Sequence, residues 1–354
     1  MIKQLILPIL LILNSLCIAQ YKYVPVFSGI SGINNLRPLL TNSFKPLVVF
    51  DYGTARDTLF FKVFRRNDSL ECFYSSWSID LPTGVDPTTW VFKSGLPTGI
   101  NTEHAFPQSK GAVGAAKSDM HILYPVKIPV NEARGNLPYG DIPDNQTQIW
   151  YLDNKALTSI PSVNKDLYSE LSATAFEPRE SVKGDVARAI FYFYTMYKEE
   201  ADAADINFFE GQRNILCQWN SLDPVDEFEW NRNTIIGSYQ SNRVNPFIWD
   251  CTLPNRTYCP SYPVNCNISL ATAEKFLKLK MFPNPAENLL IVQLLSSNSD
   301  DRIIVMDLYG REIISQTAIS GNNEIPLSQL NSGMYIVKYL STQGYSGIDY
   351  LIKL

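Results

Sequence analysis

The sequence changes character near residue 270, and this change constrains the fold more than any other feature. From Leu279 onward, FPNPAENLLIVQL, RIIVMDLYGREI and GMYIVKYL show short β patterns separated by Ser, Asn, Gly and Asp turns. About six or seven strands with such turn spacing predict a small β-sandwich. Strand-like and helix-like segments mix in the part before it. We therefore predict an α+β domain at 20–268, a linker at 269–278 and an all-β sandwich at 279–354.

Residues 1–19 have the pattern of a secretory signal peptide. A basic start at Lys3 and an apolar run lead to Cys17-Ile18-Ala19, with cleavage expected after Ala19. An N-terminal membrane anchor and a lipoprotein signal at Cys17 are alternatives, and the large Leu16 disfavours the second. No other window approaches the ~20 apolar residues of a membrane span. We expect a soluble protein outside the cytoplasm.

The cysteines fit an oxidising compartment. Five would remain after cleavage, and the last three crowd into one Pro- and Asn-rich stretch that predicts a disulfide-stapled loop; the five are Cys72, Cys217, Cys251, Cys259 and Cys266. An odd count leaves one thiol free or paired with another chain. Zinc is the competing interpretation, but there is no C-x-x-C spacing and neither histidine lies nearby.

Local patterns suggest further elements within the first domain. LECFYSSWSIDL reads as a strand and PTGVDPTTWVFKSGLPTG as a long loop. FEPRESVKGDVARAIFYFYTMYKEEAD predicts the clearest helix, with Ser181 as a candidate N-cap and an apolar face in the core. DPVDEFEWNRNTIIGSYQSNRVNPFIWD predicts a second helix that ends near Asn242.

A strand, a loop, a strand and a short helix are predicted over residues 100–136. The first strand carries NTEHAFPQSK, Gly111 and Gly114 suit the loop, and PVNEARGN has a Pro start and a Gly stop around a helix-friendly centre. Glu103 and His104 stand side by side here in a chain with only two histidines.

These residue types suit hydrolysis of a phosphodiester with one hard divalent ion. A neutral imidazole at His104 can take a proton from water near pH 7. Oxygen ligands from Glu103 and Asn131 suit Mg²⁺. Arg134, about one helical turn past Asn131, could fork onto a phosphate oxygen.

Structural interpretations compete with each of these roles. A Glu-His pair is often structural, Asn131 could cap a helix, and Arg134 could be a solvated charge. His121 fits a hydrogen-bonded structural histidine better than a second base. Neighbours on a regular strand also point to opposite faces, so Glu103 and His104 serve one phosphate only if the strand ends or twists there.

The segments EHAFPQSKG, SDMHILYP, VNEARGN and LPYGD, at 101–140, resemble the secreted bacterial endonuclease I family, whose active site is a ββα-metal (His-Me finger) motif. FEPRESVKGDVARAIFYF and DPVDEFEWNRNTIIGSYQSNRVNPF extend the resemblance over most of 45–250. It implies that His104 is the general base and that Glu103 and Asn131 hold Mg²⁺, Mn²⁺ or Ca²⁺. Arg134 and Asn136 would take supporting roles. Such enzymes usually cut DNA, often RNA as well, with little sequence preference.

A net charge of −5 argues against binding nucleic acid by the bulk field of the protein, because Lys and Arg supply phosphate affinity. A small, specifically placed basic patch would be needed. The candidates for it are Lys110, Lys117, Lys127, Arg179, Lys183, Arg188, Arg232 and Arg243.

The C-terminal part has a resemblance of its own. MFPNPAENLLIV, VMDLYGREI, LNSGMYIVKYL and a final Lys-Leu resemble the sorting domain of proteins exported by the type IX secretion system. This implies contact with the secretion machinery and a secreted or cell-surface location. A carbohydrate- or protein-binding sandwich is the alternative.

Three functions remain open on the sequence. The first is an extracellular, metal-dependent, largely nonspecific endonuclease that acts as a monomer on nucleic acid. The second is a surface-displayed binding module with an inactive nuclease fold. The third is a phosphodiesterase acting on small diesters, which would use the same metal chemistry.

Overall fold

The computed structural model describes residues 23–94, 99–266, 279–294, 297, 299–308, 310–340 and 346–354. The expected signal peptide at 1–19 and linker at 269–278 lie outside these ranges. No helix within them is long and apolar enough to cross a membrane.

Helices form most of the N-terminal part of the protein, between its short sheets. In the described part of the chain, the α-helices are α1 Ile33–Phe44, α2 Tyr52–Thr58, α3 Pro87–Ser94, α4 Ile128–Arg134, α5 Lys183–Met196, α6 Lys198–Leu222, α7 Glu227–Tyr239, α8 Pro246–Trp249 and α9 Leu253–Thr257. Helix α2 runs directly into a π-helical stretch, Leu59–Phe64.

Helix α5 is the centre of this domain, because all of its residues are buried. Its charged residues are tolerated there because other elements supply their partners: Arg188 forms two hydrogen bonds to the Glu229 carboxylate, at 2.8 and 2.6 Å. The predicted Ser181 N-cap is wrong. A 3₁₀ turn, Glu180–Val182, leads into α5 without a side-chain cap, so the helix begins inside the core.

Strands in the N-terminal part form three small antiparallel sheets. They are β1 Ser69–Glu71, β2 Ser78–Asp80, β3 Ile100–His104, β4 Leu123–Lys127, β5 Ile149–Leu152, β6 Lys155–Leu157, β7 Ser169–Leu171 and β8 Phe176–Glu177. The expected single strand in LECFYSSWSIDL is the hairpin β1–β2. The predicted long loop after it contains α3, because Pro87 and an apolar stretch favour a helical turn there.

Strands β3 and β4 pair antiparallel, and α4 follows β4 without a break. The register places Glu103 opposite Tyr124 and His104 opposite Leu123. The predicted strand, loop, strand and short helix are therefore confirmed. Helix α4 begins with proline near its first turn and ends at Gly135, whose positive φ of 52° suits glycine.

The C-terminal part is all β, as expected. Its strands in the described ranges are β9 Lys280–Phe282, β10 Leu289–Leu294, β11 Arg302–Met306, β12 Glu312–Thr317, β13 Gly321–Pro326, β14 Gly333–Leu340 and β15 Ser346–Lys353. They form sheets of order β13-β10-β9 and β12-β11-β14-β15. Residues from both sheets, including Leu290, Val292, Val305 and Val337, share one apolar core.

Two disulfides close the end of the N-terminal domain. Cys251 forms a disulfide with Cys266 within the loop where one is predicted, and Cys217 forms a disulfide with Cys259. Cys72 is the odd thiol, and it is buried. The zinc interpretation of the cysteine cluster is excluded because its three thiols are in disulfides.

Candidate active site

The two candidate catalytic neighbours lie on strand β3, and their contacts lie on different sides of it. Asn101, two residues before Glu103, accepts a 2.7 Å hydrogen bond from Asn131 on α4. His104 instead stacks on Tyr52 of α2, with ring centroids 5.5 Å apart. The Glu103 side chain contacts Tyr74 and Arg134, not Tyr52, as the alternation of a strand predicts, and His104 is the last residue of β3. A phosphate could meet both side chains only at this strand end.

Glu103 is a buried carboxylate, with 3% of its surface exposed. Its Oε1 accepts a 3.1 Å hydrogen bond from the Tyr74 hydroxyl, which also hydrogen-bonds the Tyr139 hydroxyl at 2.7 Å. Arg134 Nη1 lies 3.3 Å from the same oxygen. Burial raises the pKa of Glu103 to about 6, while Arg134 and Tyr74 act in the opposite direction. A positive ion at this carboxylate would favour the ionised form.

His104 has a defined orientation. Its Nε2 lies 3.0 Å from the backbone oxygen of Lys117, which can only accept, so Nε2 carries the proton. Nδ1 is then the basic nitrogen, and it faces the exposed Gln108, whose Nε2 is 3.5 Å away. Burial, with the nearby positive charges, lowers the pKa of His104 to about 4. The imidazole is therefore neutral at pH 7.

Glu103 and Asn131 supply the donors that a hard divalent ion prefers. Because Asn131 Nδ2 donates to Asn101, its Oδ1 is the atom available to a cation. No group of three or more His, Cys, Asp or Glu in the described ranges could hold a metal. One carboxylate and one amide oxygen fit an ion that keeps several waters, as Mg²⁺ does, and not a fully protein-coordinated ion.

Arg134 is not placed to contact a phosphate. It is fully buried, with Nη1 donating to the backbone oxygens of His104 and Gly135 and Nη2 to that of Ala105, at 3.2, 3.2 and 2.8 Å. Its guanidinium also lies over the Tyr139 ring. The expected phosphate contact is not seen in this geometry: both terminal nitrogens hold the strand end and face Glu103, and the buried Nε has no partner among the described residues.

Several predicted substrate contacts have partners inside the protein that would compete with a phosphate. The Lys183 ammonium lies between the carboxylates of Asp141, Glu177 and Glu180, at 3.2, 2.6 and 2.5 Å. Four other cations of the predicted set are buried and have partners inside the protein: Lys127 donates to Asn154, Arg188 pairs with Glu229, Arg232 lies 3.6 Å from Asp185, and Arg243 donates to the backbone oxygen of Asn42.

The remaining candidates are more accessible. Lys110 pairs with Asp205 at 2.7 Å and Arg179 with Glu71 at 3.2 Å, so a carboxylate competes for each. Asn136 is exposed just beyond α4. Lys117 lies with its ammonium 4.7 Å from the centre of the Tyr52 ring, beside His104. Of the predicted cations, Lys117 lies nearest to the candidate base by these contacts.

His121 has the surroundings of a structural histidine. Its Nε2 lies 2.9 Å from the backbone oxygen of Arg243, and its ring packs edge-on against Tyr192. The Asp119 carboxylate beside it accepts hydrogen bonds from Tyr192 and Tyr197. This geometry favours the structural interpretation over a second base.

The tyrosines that surround the site are not among the residues predicted from the sequence. Tyr74 and Tyr139 come from segments 29 and about 36 residues from Glu103, so local patterns gave no signal for them. Tyr52 and Arg56 are separated by four positions, which places them on one face of a helix, but α2 itself was not predicted.

Two antiparallel strands and a helix, with a neutral histidine ending the first strand, define a ββα hydrolase-type site. Comparison with known families agrees with this class. The family described as Endonuclease I matches residues 61–251, and the secretion system C-terminal sorting domain matches residues 280–353. The first match covers more than half of the chain, so the protein belongs to the endonuclease I family.

Three relatives are similar over parts of their length. Extracellular ribonucleases of Bacillus subtilis (strain 168) and Bacillus amyloliquefaciens are each 35% identical over 162 residues, 42% of this chain and 50% of theirs. Endonuclease-1 of Buchnera aphidicola is 25% identical over 133 residues, 38% of this chain and 45% of its own. The chain spans about half the length of the curated relatives it matches. Both predicted family resemblances are confirmed, and the sorting domain supports the expected secreted or cell-surface location.

Proposed function

We propose that the protein is an extracellular, metal-dependent endonuclease that hydrolyses phosphodiester bonds in DNA and RNA with little sequence preference. The hydrogen bond from His104 Nε2 to the Lys117 backbone oxygen carries this proposal. It fixes the tautomer in which Nδ1 is unprotonated and faces Gln108. A neutral imidazole held in one tautomer is what a general base for water requires.

In this mechanism, His104 Nδ1 takes a proton from a water molecule. The water oxygen bonds to phosphorus while the P–O3′ bond breaks, giving a 5′-phosphate and a 3′-oxygen that is protonated by water. The Lys117 carbonyl and the Tyr52 ring hold the imidazole in place. Arg134 holds the backbone oxygens of residues 104 and 105, so the strand end keeps its position.

Glu103 and Asn131 would hold the divalent ion, with Mg²⁺ as the first candidate and Mn²⁺ or Ca²⁺ as the others. When bound, the ion would stabilise negative charge on the phosphate and on the leaving oxygen. Arg134 and Tyr74 would keep the Glu103 carboxylate oriented towards it.

The substrate range rests on the family and on the names of its members. Two similar proteins are named extracellular ribonucleases, which supports RNA as a substrate, and a third is named endonuclease-1, which supports cleavage within a strand. DNA is included because of the resemblance to the endonuclease I family. Contacts to phosphate and sugar carry no direct sequence information, so little sequence preference is expected. The domain at 20–268 would perform this reaction, and the tail at 279–354 would pass the protein to the secretion machinery.

Plasmid DNA and a structured RNA, incubated with purified mature protein and Mg²⁺, test the proposal. Cleavage should stop in chelator and fall at least ~100-fold in His104→Ala, the usual loss for a general base. His121→Gln, which changes the other histidine, should cleave normally per folded molecule.

Cleavage that persists in chelator or in His104→Ala would overturn the mechanism. Tight binding of nucleic acid without cleavage would favour the binding module. Faster turnover of a small diester than of duplex DNA would favour a phosphodiesterase instead.

A further inference from the structure

Two cations share one aromatic ring on the His104 side of β3. The Arg56 guanidinium carbon and the Lys117 ammonium each lie 4.7 Å from the centre of the Tyr52 ring. The same ring stacks on His104, with an interplanar angle of 26°. We refer to Tyr52, Arg56 and Lys117 as the Tyr52 cluster. Its two positive charges are thus one ring away from the candidate base.

Neither cation of the Tyr52 cluster has a carboxylate within ion-pair distance in the described part of the chain. The buried Arg56 Nε has no hydrogen-bond partner. Asp57, the acidic neighbour of Arg56, instead accepts from the backbone N–H and the hydroxyl of Thr88, at 3.1 and 2.6 Å. The ring offsets part of the cost by cation–π attraction, but both cations remain open to an anion.

A cavity of about 200 Å³ begins at Arg56 and follows β3. Its lining includes Asn101 and Thr102 of β3 together with Phe92 and Lys93 of α3. Thr102 shares the strand face of His104, two positions away. Of the Tyr52 cluster, Arg56 lines this cavity, so the cavity connects Arg56 with the strand that ends in the candidate base, and it offers another exposed cation at Lys93.

We propose that Arg56 and Lys117, held on either side of Tyr52, form a subsite for a backbone phosphate of the nucleic acid next to the bond that His104 would cleave. This inference rests on the proposed function. Arg56 and Lys117 act as phosphate-binding residues, and Tyr52 positions both cations and the imidazole. A phosphodiester backbone is the expected ligand because it carries one negative charge at every nucleotide.

Binding can be measured apart from cleavage. Full-length His104→Ala protein is titrated into a dye-labelled DNA duplex in chelator, and the dissociation constant is measured by anisotropy at several salt concentrations. Arg56→Gln and Lys117→Gln are each added to this background. Loss of one phosphate contact makes the slope of log affinity against log salt less negative by about 0.9. This corresponds to binding about eightfold weaker at ~0.1 M salt.

Arg66→Gln is the matched control. Arg66 also lies over an aromatic ring, Phe228, and has no carboxylate partner among the described residues, but it belongs to the turn before β1. Its removal should leave both slope and affinity unchanged. Arg56→Lys, which keeps the charge, should retain the slope if Arg56→Gln folds poorly.

An unchanged slope and affinity in either Gln variant would overturn the subsite, and so would an equal loss in Arg66→Gln. Cleavage by His104→Ala would overturn the proposed base instead. Binding is measured in chelator, so the salt slopes can be determined even if His104→Ala cleaves DNA with Mg²⁺. Failure of the phosphate subsite and failure of the proposed base are therefore distinguished.

Discussion

Replacing Arg134 by Met tests whether this side chain positions the site or contacts substrate. The buried guanidinium donates to the backbone oxygens of His104, Ala105 and Gly135 and faces the Glu103 carboxylate. Methionine keeps much of the apolar length and removes every donor. The strand end would then lose its hydrogen bonds to α4, and Glu103 would lose its positive partner.

The size of the stability loss follows from the buried groups that Arg134→Met leaves without a partner. Removing one partner of a buried ion pair costs about 3–5 kcal/mol, and each orphaned buried acceptor about 1–3 kcal/mol. These costs are not additive, because one guanidinium makes all of the contacts. Glu103 can also take up a proton, since its pKa would rise further without Arg134. We expect the free energy of unfolding to fall by about 3–5 kcal/mol.

Urea unfolding followed by tryptophan fluorescence measures this loss in the relevant domain. All six tryptophans lie between Trp77 and Trp249, so the signal does not come from the C-terminal sandwich. Arg213→Met is the control, because Arg213 forms an exposed pair with Glu210 at 2.9 Å. Such a pair contributes about 0–1 kcal/mol.

A different pattern would refute the positioning role. If Arg134→Met lost under ~1 kcal/mol of stability while KM rose steeply, the guanidinium would be contacting substrate. A large stability loss with the Arg213→Met control unchanged would support the geometry seen here.

Three further changes should have measurable effects on stability. In chelator, the folded-state pKa of Glu103, about 6 against its ordinary 4.5, makes the folded state bind more protons across that window. Stability relative to Glu103→Gln should therefore fall by about 1 kcal/mol as pH rises from 4.5 to 6, and by about 2 kcal/mol between pH values well below 4.5 and well above 6; a flat difference would contradict the burial argument. Glu229→Ala should cost about 3–5 kcal/mol in urea unfolding because Arg188 and Arg232 stay buried and share Asp185, at 3.4 and 3.6 Å, as their remaining carboxylate; a loss below ~1 kcal/mol would mean that water reaches the cluster. Replacing Cys251 and Cys266 by Ser opens a 15-residue loop and should cost about 3 kcal/mol in urea unfolding without reductant, where Cys217–Cys259 stays intact; an unchanged stability would mean that the loop is not stabilised by the disulfide.

The sequence predicts those parts of the candidate site that short-range patterns determine. A strand that ends in Glu103 and His104, and a helix that follows β4 directly, are encoded by short-range patterns, so their order was predicted correctly. The expected division of the two side chains between strand faces also holds in their contacts. The structure adds the tautomer of His104, because the carbonyl that fixes it belongs to residue 117.

The charged residues were predicted poorly because a sequence shows a charge but not its partner. Arg188 meets Glu229 across 41 residues, and Arg134 meets backbone oxygens 29 and 30 residues away. Both looked like surface cations that could bind phosphate. Long-range pairing decides whether a cation is available to a ligand, and helical spacing contains no information about it.

The same reasoning bears on how an acidic protein can act on nucleic acid. A net charge of −5 averages over cations that differ greatly in availability: Lys183 is already neutralised by three carboxylates, whereas Arg56 and Lys117 have none within ion-pair distance in the described ranges. Affinity for a nucleic-acid strand depends on the cations that are free to bind phosphates and release counterions from them. It does not depend on the net charge of the protein. A few unpaired cations beside His104 would hold the backbone where it is cut, while the acidic remainder would limit binding elsewhere on the surface.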